Sequence, residues 1–501
     1  MPDAGFLRTS CHDPAAKTVF DGNAEEWFTR AQLTAHVADV ADRLQFPRKA
    51  LGFLFAWNDF PSLVAYLAAI QAGHAVAMLN PELDAALKAR LISRFQPDFI
   101  VAPESHPPPS ICGNPLYRAV ASRYPGQLLL RSTAPNQHPI HPDLTLLIST
   151  SGSTGSPKLV RLSWTNLESN ACQINNALHN TEQDRTVVTA PIFNGYGQSV
   201  IHTMLTAGGS FALTRARIIS REFWDVARQA ECTAIGGVPY FYQTLDRLDL
   251  NSLDVPRLTK FVQTGGRLPV HLARKYHSIA QGRGGGLHLM YGQAEATARI
   301  TGLPPELLPE APDSIGVVLP GGRLWVERGG CECGPMEEGE LIYHGPNVMM
   351  GYATCPGDLA RADDLGGTVA TGDLGYRDSR GLFFITGRAS RFVKLHGWRV
   401  SLDEVEELLS HAGTVAAIDE PDRLVIYTEA STDTLAGAVT QLAARLTLHP
   451  SCFEIRVIEN IPRLANGKVN YSSLARSAGP ASDERRSTVP AHQGGDSPVE
   501  R

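Results

Sequence analysis

The sequence predicts an α/β protein with a large N-terminal domain of β-α-β units around parallel sheets. A small β-barrel-like subdomain ends this domain, and a small α+β C-terminal domain follows it. Three observations carry the prediction. Up to about residue 312, short apolar runs alternate with longer amphipathic ones. Beyond that point, short β-like runs lie between Gly, Pro and Asp turns. After 389 the pattern changes again, to strand and helix signals in a compact stretch.

The first strand signal is 50–57 (ALGFLFAW), an unbroken apolar run of the kind a strand buried on both faces requires. A helix over 61–72 and a strand over 75–79 follow. Residues 85–95 are helical in pattern, and 96–102 (QPDFIVA) repeat the strand signal. The rhythm returns at 186–190, 210–213, 234–238, 260–264 and 287–291, and such alternation argues for crossover connections in a largely parallel sheet. The β-like runs of the subdomain are 314–326, 339–343, 367–371 and 381–386. The last domain reads as strand (392–395), helix (401–411), two strands, helix (434–446) and strand (453–457). The tail, rich in Ser, Pro, Gly and charge, has almost nothing apolar to bury and is expected to be disordered. The expected boundaries are 1–388, 389–477 and 478–501.

Composition narrows the function. The chain has 501 residues, 43% hydrophobic and 19% charged, which excludes wholesale disorder. With 45 Lys+Arg against 51 Asp+Glu and no long basic block, nucleic acid is not an expected partner. The apolar stretch 60–79 is broken by Gln71, Gly73 and His74, short of the ~18 residues of a spanning helix, so no membrane association is expected. The start lacks the pattern of a signal peptide, and the eight cysteines form no C-x-x-C pair. A cytoplasmic protein with reduced thiols is expected.

The sharpest local signal is 147–160, LISTSGSTGSPKLV. An apolar strand enters a loop of Ser, Thr and Gly that ends at Lys158. Glycines permit close backbone approach, and hydroxyls, N–H groups and a lysine suit phosphate oxygens. The spacing is not that of a Walker loop, and a Ser-rich surface turn is the alternative. Three further segments follow in order: MYGQAEAT at 290–297; ATGDLGYRD at 370–378, with GRASRFVKLHGWRVSLDEVE from 387; and PRLANGK at 462–468. In order, wording and spacing these four segments resemble the adenylate-forming, acyl-activating (AMP-binding) superfamily of acyl- and aryl-CoA synthetases, adenylation domains, luciferases and amide-bond synthetases. The resemblance runs from about residue 31 to 474, and 65–81 is similar to the family's early helix–strand segment.

The resemblance implies a reaction in which a carboxylate and ATP give an acyl-adenylate and pyrophosphate, followed by transfer of the acyl group to a nucleophile. By the same resemblance, Thr150, Ser151, Gly152, Ser153, Thr154, Gly155 and Lys158 would hold the phosphates, and Glu295 would carry Mg2+. Tyr291, with Gly265, Gly266 and Gly292, would line the adenine. Asp373 would accept from the ribose hydroxyls with help from Arg388, since a carboxylate is acceptor-only and takes two donors. Lys468 would be the catalytic cation, carried on a small domain that swings about Ser390, and Gly397 would line a thiolation tunnel. One departure is Ala294, where the family usually has a threonine contacting the α-phosphate. Losing that bond would cost about 1–3 kcal/mol unless another donor such as Thr297 compensates.

The acid pocket implied by the resemblance lies along 191–197, 236–240 and 263–265, with Asn194, Gly237, Tyr240 and Thr264 as its candidate residues. Amino-acid activators carry an Asp near Asn194. An amide cannot pair with an ammonium but can bond a hydroxyl, carbonyl or ring nitrogen, which tilts the expectation to an aryl or heteroaryl acid. Coenzyme A is the first expected acceptor. Direct transfer to an amine and loading of a carrier-protein thiol are the alternatives. A catalytically inactive nucleotide-binding regulator is the alternative from another class. A nicotinamide-dependent oxidoreductase is set aside, because no G-x-G-x-x-G follows an early strand.

Overall fold

The computed structural model describes residues 12–108, 116–134, 138–149, 158–248, 250–388, 391–395, 398–420, 423–445, 449–464, 467–477 and 486–488. The fold is mixed α/β, as the sequence predicts. Its residues divide into two compact units: Met1–Trp325 with Ile342–Thr371 and Asp378–Phe384, and Val326–Leu341 with Gly372–Arg377 and Ile385–Arg501.

The first unit holds two large sheets. One has eight strands in the order Gly351–Ala353, Leu159–Ser163, Leu144–Ser149, Ala75–Leu79, Leu51–Phe55, Phe99–Pro103, Gln127–Ser132 and Tyr117–Val120. Its four central strands are parallel and its margins antiparallel. The other has nine, in the order Val317–Val318, Thr301–Leu303, Gly286–Tyr291, Lys260–Gln263, Ala234–Gly237, Arg185–Val187, Ser210–Leu213, Lys17–Asp21 and Glu26–Thr29. From Gly286–Tyr291 to Lys17–Asp21 every pairing is parallel.

Helix Phe60–Gln71 shows how local signals meet the packing. Asp59 accepts from the Ser62 N–H, Pro61 sits in the first turn, and Gly73 at φ 81° ends the segment. Residues 62–70 are all buried, because the helix belongs to a core that reaches strands of both sheets, from Leu54 and Met78 to Val19 and Phe211. A helix apolar all round needs walls on every side.

Strands 75–79, 210–213, 392–395 and 453–457 and the helix 85–95 stand at the residues the sequence indicates. The hairpin Tyr117–Val120/Gln127–Ser132 does not follow from the sequence. It is a sheet margin with two exposed positions, Arg118 and Ala119, so no apolar run announces it.

The second unit includes the hairpin Phe392–Leu395/Trp398–Ser401, helices Leu402–Leu409, Thr432–Arg445 and Tyr471–Ser477, and a sheet of Val415–Glu420, Arg423–Thr428, Phe453–Val457 and Arg486–Thr488. Its core packs Val405, Leu409, Leu424, Ile426, Leu435 and Val439. Within the stretch expected to be a disordered tail, Arg486–Thr488 is a strand antiparallel to Phe453–Val457. Three residues at an open sheet edge need only backbone pairing, which composition does not report. The rest of the tail lies outside the described residues.

Candidate active site

Four candidate residues of the first unit, Gly237, Thr264, Gly265 and Tyr291, gather where parallel strands of the nine-stranded sheet end. Gly237, Gln263 and Leu289 lie level in neighbouring strands, so Thr264, Gly265 and Tyr291 follow at the same carboxyl edge. Open α/β sheets bind ligands at that edge. The Thr264 N–H donates to the Gly237 carbonyl (3.1 Å), and Gln263 Nε2 donates to the carbonyls of Thr264 (3.0 Å) and Gly266 (2.7 Å). Gly265 turns the chain at φ 79°. A Cβ on Gly292 would stand 2.1 Å from the Ala298 carbonyl oxygen, so only glycine fits beneath the turn that follows Tyr291.

Asn194 caps helix Gly195–Ala207 by position only: its side chain makes no capping bond, and its Nδ2 is buried without a partner. One helical turn on, Gln198 is 1% exposed with neither amide atom partnered. Buried amides left unsatisfied are costly and mark places where a ligand can bond. Thr264 is buried, whereas Tyr240, in the first turn of helix Pro239–Leu245, is exposed.

Glu295 lies on the single turn Ala294–Ala296. Asn347, fully buried, fixes this turn by donating to the carbonyls of Ala296 (2.8 Å) and Arg299 (3.0 Å) while accepting from Tyr343 Oη (2.7 Å). The Tyr352 hydroxyl donates to Glu295 Oε1 (2.8 Å), and the Lys158 ammonium lies 5.3 Å from the centre of the same ring. Burial first, then the Glu295 charge, push the Tyr352 phenol well above its ordinary value, so it remains a donor. Tyr352 reaches this place because its strand pairs with Leu159–Ser163, Tyr352 opposite Val160, two residues after Lys158. Ser149 is opposite Leu159, so the ends of the Ser/Gly-rich segment are held together by a strand pair. Residues Thr150, Ser151, Gly152, Ser153, Thr154 and Gly155 lie outside the described residues. Thr297, considered as a replacement donor for the missing threonine at 294, gives its hydroxyl proton to the Asn347 carbonyl (2.6 Å). Ala294 packs against the apolar core.

Arg299 follows four residues after Glu295 and is 3% exposed. Its guanidinium lies 4.9 Å from the centre of the Tyr196 ring and, with Tyr196, Gly236 and Met290, lines a cavity of about 40 Å³. No motif pointed to it.

Within the second unit, Arg388 Nε donates to Asp373 Oδ1 (2.8 Å); Asp373 is buried and Arg388 half exposed. Gly372, at φ 73°, precedes the carboxylate. Lys468 is exposed and follows a turn in which the Gly467 N–H donates to the Leu464 carbonyl and the Leu464 N–H to the Lys468 carbonyl, each 2.8 Å. Ser390 and Gly397 lie outside the described residues.

Residues 7–353 match the model of the AMP-binding enzyme family. The chain belongs to that family. It is 28% identical to sulfoacetate–CoA ligase of Cupriavidus necator over 353 residues, 68% of each protein. It is 29% identical to 2-succinylbenzoate–CoA ligase of Bacillus subtilis over 340 residues, 66% of this chain and 68% of that enzyme. Against oxalate–CoA ligase of Arabidopsis thaliana the identity is 28% over 355 residues, 67% and 68% of the two chains. The fold is shared with the B. subtilis o-succinylbenzoate CoA synthetase solved with its acyl-adenylate (TM-score 0.74, 21% identity, 94% of this chain and 97% of that one). It is also shared with the anthranilate CoA ligase AuaEII solved with anthranoyl-AMP (TM-score 0.78, 19% identity, 95% and 96%).

This AMP-binding enzyme is therefore an ATP-dependent, AMP-forming ligase. Its first unit brings a cation, a phenol and a carboxylate together, an arrangement suited to a polyanionic nucleotide and a divalent cation. The motifs had indicated the cation and the carboxylate; the phenol between them had no signal in the sequence. No helix among the described residues is long and apolar enough to cross a membrane.

Proposed function

We propose that this enzyme joins a carboxylic acid to ATP as an acyl-adenylate and transfers the acyl group to coenzyme A. The observation that carries the reading is the Lys158–Tyr352–Glu295 cluster, held by the strand pair that closes the Ser/Gly-rich segment. The names of the curated relatives support coenzyme A as acceptor. In the first step a carboxylate oxygen attacks the α-phosphorus, and the bond to the β-phosphate breaks to release pyrophosphate. In the second, the thiol sulfur attacks the acyl carbon, and AMP leaves as the thiol proton is lost.

The residues fit a magnesium ion. Mg2+ is commonly held by one or two carboxylates together with substrate phosphates, and Glu295 supplies one carboxylate, oriented by Tyr352. The B. subtilis o-succinylbenzoate enzyme has been solved with ATP and magnesium. When bound, the ion would neutralise phosphate charge. Lys158 and the residues 150–155 bind the β- and γ-phosphates in this reading. Tyr291, Gly265, Gly266 and Gly292 border the base, and Asp373, oriented by Arg388, takes the ribose hydroxyls. Residues 389–477 move as a small domain about Ser390, bringing Lys468 to the reacting oxygens for adenylation and Gly397 to the thiol's path for transfer.

Asn194, Gly237, Tyr240 and Thr264 border the acid, and the unpartnered Asn194 Nδ2 offers it a donor. An amide at this position favours aryl or heteroaryl acids over amino acids. Sulfoacetate, 2-succinylbenzoate and oxalate, the acids in the relatives' names, carry two acidic groups. The test is acid-dependent ATP–pyrophosphate exchange without acceptor, followed by addition of coenzyme A, an amine or a carrier protein and weighing of the product. Exchange with thioester formation is expected. An amide product or an acylated carrier would replace the acceptor, and ATP binding without exchange for any acid would leave a regulator.

A further inference from the structure

Arg299 is a buried cation in need of an anion. Its Nε is buried with no hydrogen-bond partner, its Nη1 donates to the Ala298 carbonyl (3.0 Å), its guanidinium lies 4.9 Å from the Tyr196 ring centre, and no carboxylate pairs with it among the described residues. Arg161, which is fully buried, is treated differently. Its guanidinium donates to Asp364 Oδ2 and to the Met350 and Arg361 carbonyls, each at 2.6 Å. Burial lowers Arg299 to about 10, opposed by Tyr196, so it is still charged at neutral pH. A buried charge without an anionic partner is unfavourable, and a ligand of opposite sign would offset that cost.

The cavity beside Arg299 is lined by sequence neighbours of the proposed acid-pocket residues, although none of Asn194, Gly237, Tyr240 and Thr264 is itself on its lining. Tyr196 is two residues from Asn194, Gly236 precedes Gly237, and Val262 is two residues before Thr264. A Cβ on Gly236 would meet Tyr196 Oη at 2.4 Å, so the absence of a side chain there keeps the ring in place. The other cation on the lining, Lys260, is already neutralised by Asp184 (2.8 Å) and also donates to Asn180 Oδ1 (2.9 Å). Apart from Arg299, Lys260 and the Asn180 amide, the cavity wall is apolar or hydroxylic, with Ser199 and Thr203 beside Ile174, Leu178 and Met204. Arg299 therefore carries the unmatched charge, in a space sized for a few heavy atoms.

We propose that this cavity receives the far end of the acid substrate, and that Arg299 pairs there with a second anionic group, a carboxylate or sulfonate, while the first carboxylate is adenylated. This rests on the adenylation reading above and names the substrate class within it. Arg299 is then a specificity residue, with the Tyr196 ring 4.9 Å from its guanidinium as its neighbour on the wall.

The test is ATP–pyrophosphate exchange with matched acids, aryl and aliphatic, each bearing a terminal carboxylate or sulfonate or its neutral amide or methyl ester. The charged member of each productive pair is expected to have a kcat/KM higher by about 10²-fold or more, because a neutral group leaves the site's buried charge unpaired. Arg299→Met should abolish that preference, and Arg299→Lys should restore part of it, with ATP binding unchanged in both. Equal use of neutral-ended acids by the wild-type enzyme, or a preference unchanged in Arg299→Met, overturns the assignment and leaves adenylation standing. If no acid supports exchange although ATP binds, the adenylation reading itself falls.

Discussion

At the scale of single residues, Tyr352 shows how a side chain with no motif around it can bear on chemistry. Its phenol donates to Glu295 while its ring lies under Lys158. A hydrogen bond to a charged group contributes about 1.5–3 kcal/mol, so Tyr352→Phe should lower adenylation about 10- to 100-fold and weaken its dependence on Mg2+. An exchange rate and magnesium titration like those of the wild type would remove Tyr352 from the site. A second residue-scale expectation concerns His202, which is buried, hydrogen-bonded to Tyr66 Oη (2.8 Å), and lowered by burial to about 3. The unfolded chain, whose histidine titrates near 6.5, takes up a proton that the native state refuses. This group's contribution to stability is therefore intact above about pH 6.5 and is lost as pH falls from there towards 3, at up to about 1.4 kcal/mol per unit. Urea midpoints at pH 7 and pH 5 should differ less in His202→Gln than in the wild type, and an equal difference in both would show that another group carries the acid sensitivity. Neither residue was legible beforehand, because their partners come from distant parts of the chain: Glu295 is 57 residues from Tyr352, and Tyr66 is 136 from His202.

At the scale of elements, the turn 292–299 joins a parallel strand to the Glu295 carboxylate and Arg299. Its path needs Gly292, since any Cβ would stand against the backbone at Ala298 and Arg299. Gly292→Ala is expected to cost about 1–3 kcal/mol and to displace Glu295, lowering exchange about tenfold or more. Gly282→Ala, at a helix end with nothing within 4 Å of the added methyl, is the control and should leave exchange unchanged. If both variants exchange like the wild type, the close approach at Gly292 does not position the carboxylate. Ala294→Thr tests the same turn from the other side. Thr297 already gives its hydroxyl proton to the Asn347 carbonyl and so does not replace a donor at 294, and the added hydroxyl is expected to hold or raise the adenylation rate. A large loss would mean that the pocket has been rebuilt around alanine. The strands beneath this turn were legible because strands buried on both faces are written as unbroken apolar runs, as 75–79 and 210–213 show. The edge hairpin was not, and neither was Arg299. A buried arginine is read from sequence as a surface charge until its walls are known.

At the scale of the whole molecule, the two halves of the reaction can be separated. The first unit carries Lys158, Glu295 and the strand-end residues, whereas Asp373, Arg388 and Lys468 belong to the second. If Lys468 stabilises charge only while the carboxylate attacks the α-phosphorus, its removal should act on one half-reaction alone. Lys468→Ala is expected to lower acid-dependent pyrophosphate exchange by about 10²-fold or more, while thioester formation from preformed acyl-adenylate and coenzyme A proceeds at a rate close to that of the wild type. A merely destabilised second unit would impair both halves, so the ratio of the two rates distinguishes the catalytic role from a structural one. Exchange at the wild-type rate in Lys468→Ala would mean that the charge at phosphorus is met by groups of the first unit alone, Lys158 among them. The motif at 462–468 would then mark only a turn, the one built by Leu464 and Gly467.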